Sequence, residues 1–322
     1  MRANSPSLQA KAGIHRSFGY TVETKRGAHV VDHRAPCWRR LTRFAGKCAV
    51  ASAVFVICAP TLVQAQAPVS QPSGALLSGR DLALLAGATL GAAAVTTLDV
   101  RIAHAMYDSL FQLRHPGITK AADRASLVTE TALMLTGGTV WGIARLSHDA
   151  GTADVALHTT EAIASTAFVI QVARGVLGRA RPYVIDEVGE KRNGDPYDFH
   201  LLHGFTSFNY RSYPSMHAMA SFAAAAALST EMRVRNTPHR AAIAPVLYAA
   251  ATLPALARLY LDEHWASDIA MGIFLGVFAG QKAVSYSHDH PANYVDRKLL
   301  RPAVRATFTH DARGLSFSLT PF

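Results

Sequence analysis

Between Leu82 and Val284 the chain is divided into six apolar segments by polar breaks. This spacing constrains the fold more than any other feature. The segments are Leu82–Val100, Ala121–Leu146, Asp154–Leu177, Ser215–Arg233, Ala241–Leu261 and Trp265–Val284. Length and periodicity make each a helix, and six such helices predict an all-α fold, a six-helix bundle. Tyr183–Tyr213, rich in Gly, Asp, Asn and aromatic residues, predicts a long loop between the third and fourth helices. Loops of that length in compact domains are often functional. Arg305–Phe322 alternates apolar and polar residues around Asp311-Ala312-Arg313-Gly314, which predicts a short β-hairpin.

An apolar content of 50% with 17% charged residues supports a substantial core and excludes disorder for most of the chain. The formal charge of +10 suggests an anionic polymer as partner, but it is unevenly placed. Residues 1–65 hold ten Lys and Arg against two acidic residues, leaving 22 basic against 20 acidic in the remainder. The excess therefore belongs to the leader, and nucleic-acid binding is discounted.

Within that leader, Arg39, Arg40, Arg43 and Lys47 precede the apolar run Cys48–Ala59, and the small-residue sites Val63-Gln64-Ala65 and Ala65-Gln66-Ala67 follow. This is the pattern of an export signal, with an uncleaved membrane anchor as the alternative. Cys37, Cys48 and Cys58 are the chain's three cysteines and all lie here, so a mature domain would carry no disulfide, thiol nucleophile or cysteine metal ligand. The implied organisation is a leader over 1–67, a linker over 68–80, a main helical domain over 81–290 and an appendage over 291–322.

Leu82–Leu98, Ala241–Ala257 and Ile269–Gly280 are apolar enough to suggest membrane spans, although short for a hydrocarbon core of about 30 Å. Arg233, Arg235 and Arg240 would put the loop between the fourth and fifth helices on the inner side. That topology needs the first helix to start inside, whereas a cleaved export signal leaves it outside. A soluble exported bundle removes the conflict, and the mean hydropathy of +0.13 agrees with it. The sequence thus leaves two placements in the cell envelope: a periplasmic bundle, or an integral membrane protein with its site facing the periplasm.

Three short motifs lie at the edges of these segments. The first is Arg174-Gly175-Val176-Leu177-Gly178-Arg179-Ala180-Arg181-Pro182, and the second is Pro214-Ser215-Met216-His217. The third spaces Arg258, His264 and Asp268 as R-x5-H-x3-D. Arg174 and Arg181, seven residues apart, align on one helix face. Ser215 is placed to cap a helix whose free N–H groups favour an anion. His264 and Asp268, at i and i+4, share a helix face, so that the carboxylate accepts from one ring nitrogen and leaves the other unprotonated. Taken singly, these are also an ordinary basic helix end, a capped helix start and a surface His–Asp pair.

In this order the motifs resemble the signature of the type 2 phosphatidic acid phosphatase superfamily, which includes bacterial class A acid phosphatases and vanadium haloperoxidases. The resemblance covers roughly Asp81–Ser285. It implies His264 as a nucleophile that forms a phosphohistidine, Asp268 as its orienting partner and His217 as the general acid. Arg174, Arg181, Ser215, Met216 and Arg258 would bind phosphate, with Arg179 orienting neighbours. Met216 stands where the family usually has Gly, Arg174 where it has Lys, and Ala257 where it has Ser. The implied enzyme is a phosphomonoester or lipid diphosphate hydrolase that uses no metal or other cofactor. Its substrate would be a phosphorylated lipid or a small phosphomonoester, with membrane association. A vanadate-dependent haloperoxidase and a non-specific soluble acid phosphatase are the alternatives.

Overall fold

The computed structural model describes residues 77–184 and 195–299, and the backbone alone of 304–311 and 314–321. The expected export signal, the three cysteines and most of the expected linker lie outside the described residues. So do positions 185–194 of the expected long loop.

Among the described residues there are six long helices, with shorter ones between them. Helix α1, Gly79–Thr96, is followed by α2, Asp99–Met106, α3, Ser109–Arg114, and α4, Pro116–Ala125. Next come α5, Glu130–Leu146, α6, Ala150–Leu177, and the single turn α7, His203–Thr206. The series closes with α8, Met216–Val234, α9, Arg240–Tyr260, α10, Ala266–Asp289, and the short α11, Tyr294–Leu299. Two expected helices are broken. Leu82–Val100 turns at Thr97–Leu98, and Ala121–Leu146 is interrupted at Ser126–Thr129, where Thr129 caps α5 by accepting from the Ala132 N–H at 3.1 Å. Helix α1 starts within the expected linker, because Ser78 and Asp81 form a reciprocal capping box there. The tail is an antiparallel pair, β1, Val304–Asp311, and β2, Gly314–Pro321, with Phe308 opposite Phe317.

Helices α8 and α10 form the centre, and glycine sets their distance. Gly272, Gly276 and Gly280 recur every four residues on α10, so they form one stripe. A Cβ at these positions would lie 2.5, 2.3 and 2.5 Å from the carbonyl oxygens of Ser215, which precedes α8, and of Met219 and Ala223 within it. The helix backbones therefore touch, as small-residue spacing permits. On one side of this pair, Phe222, Leu259, Ile269 and Ile273 pack with Val95, Ile102 and Met106. On the other, Ile163 and Ile170 pack with Met216, Met219 and Ala220. Each large apolar side chain buried in this way contributes about 1.5–3 kcal/mol.

The outward faces are also apolar. Leu90, Leu135, Phe168 and Val246 are each at least 65% exposed on four different helices. Among the described residues three helices, α6, α9 and α10, are long and apolar enough to cross a membrane, and the pair α1 with Asp99–Arg114, bent by 61°, would make a fourth. Helix α6 joins this set despite Asp154 and Glu161 because its 28 residues leave an apolar window of sufficient length.

Candidate active site

At one end of the α8–α10 pair a chain of buried charges runs from Asp99 to His264. Asp268, in the first turn of α10, accepts from the Trp265 N–H at 2.8 Å, which fixes the carboxylate at the helix start. One of its oxygens, Oδ1, takes Arg179 Nη1 at 2.5 Å, while Oδ2 takes the Ser212 hydroxyl and lies 3.4 Å from His264 Nδ1. Arg179 is 1% exposed and reaches further, donating Nη2 to Asp99 Oδ2 at 2.8 Å and Nη1 to the Ser267 hydroxyl at 2.8 Å. The Ser267 N–H in turn holds Asp99 Oδ1 at 2.8 Å.

The expected shared helix face for His264 and Asp268 is corrected. Helix α10 begins at Ala266, so His264 belongs to the preceding turn and meets Asp268 from outside the helix. Its Nε2 is buried and has no hydrogen-bond partner among the described residues. Burial holds this imidazole well below its ordinary pKa of 6.5 even though the Asp268 carboxylate favours the cation. The ring is therefore neutral near pH 7, with a lone pair available on one nitrogen.

Arg174 and Arg181 do not share a helix face. Helix α6 stops at Leu177 because Gly178 adopts the left-handed conformation, φ 57°, and a Cβ there would meet the His200 carbonyl oxygen at 1.7 Å. Arg174 stays in the last turn of α6 and donates Nε to the Arg211 carbonyl at 2.9 Å. Arg181 follows the turn, its guanidinium 4.2 Å from the centre of the Phe208 ring, and it donates to the backbone carbonyl of Glu263 at 3.1 Å. Arg258 comes from the last turn of α9. Glu263 joins the last two: its Oε2 accepts from Arg258 Nη2 at 2.8 Å and from Arg181 Nη1. The buried Nε of Arg258 has no partner among the described residues.

Ser215 caps α8, its hydroxyl 3.5 Å from the Ala218 N–H, and its own N–H bonds the backbone carbonyl of Asp268 at 3.0 Å, so the second and third motifs are joined. Met216 is 4% exposed and packs its side chain with Ile163, Ile170 and Met219. The bulk that replaces the family's usual Gly thus enters the core. His217 Nε2 lies 3.1 Å from the carbonyl of Ser126. Burial first, and the charge of Arg258 next, push its pKa down to about 4, with Arg174 and Arg181 adding to the effect. All three cations therefore act on His217.

Asp99, Ser212, Ser267 and Glu263 were not legible as site residues. Asp99 lies 80 positions before Arg179, and no local pattern connects them.

A family model described as the PAP2 superfamily matches residues 156–290, which contain all three motifs. No curated protein matches this chain. Among solved structures, the crystal structure of a transmembrane PAP2 type phosphatidylglycerolphosphate phosphatase from Bacillus subtilis is similar at 15% identity and a TM-score of 0.32. That alignment covers 63% of this chain and 98% of the other.

Proposed function

The chain belongs to the PAP2 superfamily through residues 156–290, and from that premise we propose that it hydrolyses phosphate esters by way of a phosphohistidine on His264. The observation that carries the reading is the buried, unpartnered Nε2 of a neutral His264, backed through Nδ1 by Asp268 and surrounded by arginines. The Nε2 lone pair attacks phosphorus and the bond from phosphorus to the ester oxygen breaks. The departing alkoxide takes a proton from His217. Water then attacks the phosphohistidine, His217 accepts a proton from that water, and inorganic phosphate leaves with His264 restored. Arg174, Arg181 and Arg258 supply fixed positive charge for the equatorial oxygens, a role in which a guanidinium can use two donors at once. A phosphoryl dianion beside His217 would also raise its low pKa and so favour the acid form.

The substrate we propose is a lipid phosphate or diphosphate, met at a membrane. The loop that carries Ser212 exposes Tyr197, Phe199, Leu201, Leu202, Phe205 and Phe208, each 44–73% accessible. Aromatic and apolar side chains grouped this way suit a bilayer interface. The exposed apolar faces of α6 and α9 support the same placement.

Hydrolysis of phosphatidic acid in mixed micelles, compared with a water-soluble monoester, tests the reading. A kcat/KM at least tenfold higher for the lipid supports it, and indifference to the lipid would return the soluble acid phosphatase reading. Vanadate with peroxide and bromide should give no bromination, whereas robust bromination would favour the haloperoxidase chemistry.

A further inference from the structure

At the other end of the bundle, a second group of titratable side chains is held by four helices. His158 is on α6, Glu231 on α8 and His288 on α10, respectively 16, 14 and 20 residues along their helices from Arg174, His217 and Asp268. At about 1.5 Å per residue the group lies about 20–30 Å from the phosphatase site. One ligand atom from each of the three residues falls within 4.8 Å of the others. His158 Nδ1 is 2.6 Å from Glu231 Oε1, and His288 Nε2 is 3.1 Å from Glu231 Oε2. His158, Glu231 and Asp296 are 3%, 1% and 5% exposed, so water screens little of their charge.

The charges within this group do not balance. Glu231, Asp296 and Glu161 bring three carboxylates, and among the described residues the only guanidinium bonded to Glu231 is Arg235, at 2.7 Å, which is shared with Asp154 at 3.3 Å. Glu161 Oε1 is buried with no hydrogen-bond partner among the described residues, and Asp296 Oδ1 and His158 Nε2, also buried, face each other at 3.5 Å. Buried carboxylates in excess of cations need further positive charge. We propose that His158, Glu231 and His288 bind a divalent transition metal of the zinc type. Two imidazoles and one carboxylate are a donor set that suits zinc, with water in the fourth position. Asp296, 3.5 Å from His158 Nε2, is placed to accept from the far side of the liganding ring, the usual outer partner of a metal-bound histidine. Such an ion would clasp α6, α8 and α10, with α11 joined through Asp296.

The test uses the full chain, purified in detergent without a polyhistidine tag. Metal content is measured by plasma mass spectrometry after equilibration with Zn2+, and Co2+ is titrated while its visible absorption is followed. One ion per chain is expected, with Co2+ bands of low-coordinate type. His288→Ala, at a partly exposed position, and Glu231→Gln should each weaken uptake at least tenfold. His288→Ala should leave phosphatase turnover unchanged, since it lies far from His264. Uptake that persists in His288→Ala would overturn the proposal and point to the cysteines and histidines of the leader. No saturable uptake by the unaltered chain would overturn it as well, and would mean that protons on the two imidazoles balance the carboxylates.

Discussion

Glu263 and Arg258 form a 2.8 Å ion pair, and the same carboxylate oxygen also accepts from Arg181. A phosphoryl group that uses these two guanidiniums must compete with this carboxylate. Glu263→Gln should therefore tighten competitive inhibition by vanadate, measured as Ki. A partly exposed ion pair contributes about 0.2–1 kcal/mol, so a gain of up to about fivefold is expected. Weaker inhibition in the variant would show that Glu263 serves mainly to hold the arginines in position.

His264→Ala should abolish turnover while the fold persists, because the side chain lies in the turn before α10 and caps nothing. The unaltered protein, quenched during turnover of a labelled substrate, should carry an acid-labile adduct on His264. Label on any other residue would remove the nucleophile assignment.

For His217 the leaving group discriminates. An alkyl phosphate departs as a strongly basic alkoxide and needs a proton, whereas nitrophenolate departs with little help. His217→Ala should slow hydrolysis of a lipid phosphate about 10²–10⁴-fold and that of p-nitrophenyl phosphate much less. Equal losses on both substrates would assign His217 to binding or to the fold.

Stability should fall in mild acid. His217 and His264 both have folded-state pKa values below 6.5, so the unfolded chain binds more protons than the folded one once the pH drops under 6.5. Their contribution is intact above 6.5 and is lost progressively as the pH falls towards the folded values, about 4 for His217. At pH 4, His217 alone accounts for roughly 2–3 kcal/mol. His217→Gln should flatten the fall in Tm between pH 7 and pH 4.5, and an unchanged slope would contradict the assignment.

Gly276→Val should be among the most damaging substitutions outside the site. Its Cβ would meet the Met219 carbonyl oxygen at 2.3 Å and Ala223 N at 2.9 Å, both of them backbone atoms that cannot move alone. Overpacking of this kind costs about 1–3 kcal/mol or more. The same change at Gly87, with nothing within 4 Å, should cost about 1 kcal/mol at most. Equal effects on Tm would argue against backbone contact between α8 and α10.

By itself the sequence determined the helical class, the approximate limits of the long helices and the candidate site residues, because periodicity and motif spacing are local properties. Arg174, Ser215, His217, Arg258, His264 and Asp268 were all legible as candidates in this way. Tertiary structure decided how they are held. Gly178 ends α6 before Arg181, and only its left-handed φ and the nearby His200 carbonyl show that the two arginines leave a common face. Met216 projects into the core because of its position in the first turn of α8, which its identity does not reveal. Asp99 reaches Arg179 through packing that joins segments 80 positions apart, and no pattern along the chain encodes such a meeting. Chemistry is written in residue types at short spacing, whereas the partners that fix its protonation and geometry follow from which helix ends the fold brings together.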